Sequence, residues 1–207
     1  MVARVPPSRA TNDASSRRTL SAEDGESGAG SAEQIDHMKH LKTLFVAELG
    51  TCFSSEARLA PALAKMAVTA ASPSLERLIR LQGHECERNV KDLEGIFEAC
   101  GEKARGKRCE AIAGILVDGD KLLALPGDGP ALDAALIATM RKIIHWEIAS
   151  YSSLAEYAGL LDQPEAAGVL KGILDKKTAA EKSLAGGSPQ HGSQEGTGKL
   201  RARKVNR

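Results

Sequence analysis

Residues 132–161 read LDAALIATMRKIIHWEIASYSSLAEYAGLL, about eight helical turns with no proline and a single glycine, Gly159, near the end. Apolar residues recur at helical spacing through Leu136, Met140, Ile143, Leu154, Ala158 and Leu161. Glu147 interrupts that stripe. It lies four residues after Ile143 and seven before Leu154, so it points the same way they do. A carboxylate on a core-facing stripe is expensive unless something pairs with it.

Working outward, the same grammar repeats. On the C-terminal side, Asp162-Gln163-Pro164 turns the chain into a helix over 164–185, with Leu170, Ile173, Leu174 and Leu184 on its stripe. Lys177 and Glu181 point inward among them. On the N-terminal side, Pro126-Gly127-Asp128-Gly129-Pro130 is a strong breaker, preceded by a short helix over 109–125 and an irregular charged stretch, 102–108. Before that stretch a helix spans 73–100, its stripe running Leu75, Leu78, Ile79, Gln82, Cys86, Val90, Leu93 and Phe97, with Glu85 and Asn89 on the flank. Ser72-Pro73-Ser74 separates it from a long helix over 34–70, where Leu41, Phe45, Cys52, Leu59, Leu63 and Met66 share a face with Glu56. Pro61 should kink that helix or force a local adjustment.

Residues 1–34 and 186–207 carry Ser, Gly and charge without periodicity and read as disordered extensions, the second one basic, around a domain over 35–185. Aromatics make up only 3% of the 207 residues, a composition that suits closely packed helices better than a sheet. Net charge is +1, no run reaches the ~18 apolar residues of a membrane span, and no segment follows the N-terminal arginines as a secretory signal would. Neither membrane nor nucleic acid is an expected partner. The four cysteines form no CxxC pair, and a cytoplasm with reduced thiols is the default. Cys52 and Cys86 read as small core residues; Cys100 and Cys109 flank a loop, and spacing leaves open whether they meet.

Four long helices in two hairpins joined by a ~30-residue connection match an all-α, ferritin-like four-helix bundle, because an up-down-up-down bundle needs no such link. Each long helix also carries one acid at similar depth. At 1.5 Å per residue, Glu56, Glu85, Glu147 and Glu181 lie roughly 18–27 Å from their hairpin turns. Four converging carboxylates call for a cation, and di-iron or di-manganese bundles supply two. The histidines that complete such sites are missing: Arg88 and Leu184 stand three residues after Glu85 and Glu181, and His84 and His145 project away from the stripes. Tyr151, one turn beyond Glu147, is a candidate hydrogen-bond partner for the site. Lys177 either snorkels to the bundle edge or supplies the missing positive charge itself.

The segments LFVAELGTCFSSEARLAPALAKMA (44–67), KRCEAIAGIL (107–116), DAALIATMRKIIHWEIASYSSL (133–154) and LKGILDKKTAAEKSL (170–184) resemble, in order and spacing, the YciE/YciF-like (DUF892) family of bacterial ferritin-like proteins. The resemblance implies a homodimeric bundle, an association with stress responses, and a dinuclear Fe or Mn site with Glu56, Glu85, Glu147 and Glu181 as metal ligands. The chain departs from the family pattern at Gln82, where relatives have His, at Ile144, where they have Glu, and around Asp175-Lys176-Lys177, where they have acids. Two functions therefore stand side by side: a metal-binding, redox-active bundle, or a structural stress protein whose site is charge-balanced by Lys177.

Overall fold

A computed structural model describes the backbone over residues 26–186 and the side chains over 34–185. Of the extensions expected over 1–34 and 186–207, residues 1–25 and 187–207 lie outside the described residues, while 26–34 and 186 are helical. Contacts divide the chain into two compact units, Met1–His37 and Met38–Arg207. The helical bundle is built by the second.

Five helices follow one another: α1 (Glu26–Ala67), α2 (Pro73–Ala99), α3 (Glu110–Leu123), α4 (Gly129–Leu160) and α5 (Pro164–Gly186). Their limits follow local chemistry. Asp128 caps α4 by accepting from Ala131 N at 3.1 Å, so α4 starts before its apolar stripe does, with Pro130 tolerated in the first turn. The Cys109 thiol plays the same part for α3, accepting from Ile112 N at 3.4 Å. Gly101 ends α2 with φ at +72°, a conformation glycine adopts freely. α1 begins at Glu26, earlier than its apolar period indicates, and runs on through Pro61, whose ring is exposed.

Two apolar layers fix the topology. One joins Leu59, Leu63 and Met66 of α1 to Leu75 and Ile79 of α2, Ile112 of α3, Leu136 and Met140 of α4, and Leu184 of α5. The other joins Phe45 and Leu49 of α1 to Leu93 and Phe97 of α2, Leu154 and Ala158 of α4, and Leu170 and Ile173 of α5. α1 thus runs antiparallel to α2, and α4 to α5, with the two hairpins at opposite ends. Hydrogen bonds mark both ends. Asp133 near the start of α4 accepts from Ala71 N at 2.8 Å and Ser72 N at 2.9 Å, beside the first hairpin. Cys100, just past α2, donates to Gln163 Oε1 at 3.3 Å in the second. The 100–128 connection therefore runs the length of the bundle, carrying α3 against α4, as the ferritin-like arrangement requires.

Candidate functional site: a buried acid–lysine layer

Between the apolar layers each long helix turns a polar side chain inward. Glu56, Asn89, Glu147, Tyr151 and Lys177 are all sealed from solvent, with Cys86 beside them. Lys177 Nζ lies at the centre. It donates to Glu147 Oε1 at 2.7 Å, and lies 3.8 Å from Glu56 Oε1 and 4.0 Å from Cys86 Sγ. Glu56 Oε1 also accepts from Tyr151 O–H at 2.6 Å and from Asn89 Nδ2 at 3.2 Å. Glu56 Oε2 has no hydrogen-bond partner.

The electrostatics follow from two carboxyls and one ammonium in a dry core. Burial pushes the Glu147 carboxyl up to about 8, and the Glu56 charge adds to that, while Lys177 opposes it. Burial alone would lower the Lys177 ammonium, but the Glu147 and Glu56 carboxylates outweigh it and raise it above the usual lysine value. Burial, and then the charge of Glu56, also push the thiol of Cys86 and the phenol of Tyr151 well up, so both stay protonated and neither is a poised nucleophile.

The four acids singled out in the sequence part company here. Glu56 and Glu147 meet in the core, each offering an oxygen within 4.8 Å of the other's and of Cys86 Sγ. Glu85 is held instead at a mostly buried edge by Arg88 and by Lys176 at 3.5 Å. Those cations outweigh its partial burial and hold its carboxyl below the usual value. Glu181 lies 3.2 Å from Arg141 Nε and 3.6 Å from His145 Nε2. His84 and His145 are exposed, as their places on the helices indicate. Tyr151 bonds across to Glu56 rather than to Glu147. Asn89, assigned to the flank, is fully buried. Cys86 carried no functional signal beyond its place on the α2 stripe. All four cysteines are free.

Residues 40–195 match the model of the family described as a domain of unknown function, DUF892. Protein YciF of Escherichia coli is 29% identical over 149 residues, covering 72% of this chain and 90% of that protein. The crystal structure of the E. coli stress protein YciF superposes with a TM-score of 0.71 at 26% identity, over 75% of this chain and 98% of that one. A putative structural protein from Rhodopseudomonas palustris, YcfI, gives 0.68 at 27% identity, over 70% of this chain and 92% of its own.

Proposed function

This chain belongs to the DUF892 family, and from that premise we propose that it is a stress-associated helical bundle with a structural, metal-independent role. In this reading Lys177 stands where iron or manganese would otherwise balance the core acids. The observation that carries it is the placement of Lys177 Nζ, 2.7 Å from Glu147 and 3.8 Å from Glu56 in a site closed to solvent. A carboxylate-bridged dinuclear centre uses an acid from each helix and two histidines. The core offers two acids, a protonated thiol and an ammonium, while Glu85 and Glu181 are committed to other cations. That donor set does not fit a dinuclear Fe or Mn group. The relatives' descriptions, one a stress protein and one a putative structural protein, agree with this reading. The cytoplasmic location expected from the cysteine pattern and the homodimeric state implied by the resemblance belong to the same proposal.

Thermal melts of the full chain with chelator, with Fe(II) and with Mn(II) test it. The wild-type transition should be the same in all three, whereas Lys177→Glu should melt earlier in chelator and recover with metal. A wild-type melting temperature that rises on adding Fe(II) or Mn(II) and falls with chelator would return the site to the metal reading.

A further inference from the structure

Outside the core, α1 and α3 leave a groove of about 390 Å³, within the usual range of small-molecule sites. Pro61, Ala62 and Met66 form one wall, and Leu116, Val117 and Leu123 the other. Thr139 of α4 closes the floor. Gly119 makes that closure possible, because a Cβ there would lie 2.6 Å from Thr139 Cγ2. α3 therefore sits tightly on α4 while standing off α1.

The rim gives the groove its chemistry. Arg58 and Lys65 stand on the α1 side, both exposed, and no described carboxylate pairs with either. They are seven residues apart, about 10 Å along the helix, so a head group at either end of the groove finds a cation. Asp120 is the one acid on the rim, and two cations against it leave a net positive edge over an apolar trough. Such an arrangement suits a ligand with a hydrocarbon body and an anionic end. A cationic amphiphile would meet Arg58 and Lys65, and a small polar anion would leave the apolar walls unused.

We propose that the α1–α3 groove binds a straight-chain amphipathic anion, of the class of medium-chain carboxylates, with its chain along Met66, Leu116 and Val117 and its carboxylate on Arg58 or Lys65. This site is separate from the acid–lysine layer and does not depend on the metal-free reading of the core. Calorimetric titration of the full chain with octanoate, decanoate and dodecanoate, each below its micelle concentration, provides the test. Binding should saturate at one site and tighten about fourfold per added methylene until the groove is full. The double variant Arg58→Gln/Lys65→Gln should bind decanoate about three- to fivefold more weakly and leave decanol binding unchanged. Val117→Glu, at an exposed wall position, should weaken decanoate further, with an unaltered melting curve showing that the fold is intact. The proposal is overturned by a lack of saturable binding, by affinity that does not rise with chain length, or by decyltrimethylammonium binding as well as decanoate. Decanoate affinity unmoved by either variant would also overturn it, since binding would then lie elsewhere.

Discussion

Glu147 and Glu181 occupy matching depths on neighbouring antiparallel helices, yet one is sealed against an internal lysine and the other lies at the partly buried edge of the bundle. Glu147 is 1% exposed and meets Lys177; the Glu181 side chain is 20% exposed and meets Arg141 and His145. The same contrast separates Glu56 from Glu85. Depth along a bundle is thus only half of an address. A rotation of one residue, about 100° around a helix, decides whether an acid meets a sealed core or an edge where exposed cations reach it. On α2 the residues that reach the centre are Cys86 and Asn89, and Glu85 beside them is turned toward Arg88 and Lys176.

The sharpest way to break this contrast is to remove the cation from each region. Lys177→Ala leaves two carboxyls in a dry layer, and loss of a partner from a buried pair costs about 3–5 kcal/mol. At this chain length that lowers the melting temperature by roughly 10 °C or more. Arg141→Ala or Lys176→Ala removes an equivalent charge from the flank, where solvent screens it, and should cost less than about 1 kcal/mol. Equal losses in denaturant melts of the three variants would erase the distinction.

Acidity gives the next largest effect. The folded Glu147 carboxyl is raised to about 8 from an ordinary value of 4.5, so its proton is held more tightly in the native state than in the unfolded one. Its contribution to stability is complete below pH 4.5 and is lost as the pH climbs to about 8. Lys177 is also raised, so its contribution persists through this window and fades only at pH values above the ordinary lysine range. Glu147→Gln keeps an acceptor for Lys177 and removes the titration. The difference in stability between wild type and Glu147→Gln should therefore shift by about 3 kcal/mol between pH 5 and pH 7.5, with the variant gaining. A pH-independent difference, measured by urea unfolding, would mean that Glu147 is ionised throughout.

A smaller effect separates the two core acids. Tyr151→Phe removes the 2.6 Å bond to Glu56 without opening space, and should cost about 1.5–3 kcal/mol, as hydrogen bonds to charged groups do. Glu181→Gln on the flank should change stability by only a few tenths of a kcal/mol. A neutral Tyr151→Phe would show that Asn89 and Lys177 already satisfy Glu56.

Much of this architecture is legible in the sequence, because its punctuation is chemical. Ser72-Pro73, Gly101, Asp128 and Gln163-Pro164 mark the helix ends, and the length of the 100–128 connection identifies the bundle topology. The acids' common depth is legible too, since it needs only counting. Their azimuth is not. A stripe read at 100° per residue leaves flank positions ambiguous by tens of degrees, and the packing of neighbouring helices settles which side turns in. That is why Asn89 goes to the core and Glu85 to an edge, although both share the flank of one stripe. The partners of Glu181 lie on another helix, at positions 141 and 145, and no spacing within α5 announces them. The crossing bond from Tyr151 to Glu56 escapes for the same reason.

Elemental analysis of the full chain, purified from cells supplied with iron and manganese, tests the central claim most directly, with Lys177→Glu prepared in parallel. If Lys177 is the cation of the core, the wild-type protein emerges without stoichiometric iron or manganese, and the variant alone gains metal. One or two metals per wild-type chain, lost in Glu147→Ala, would contradict the account.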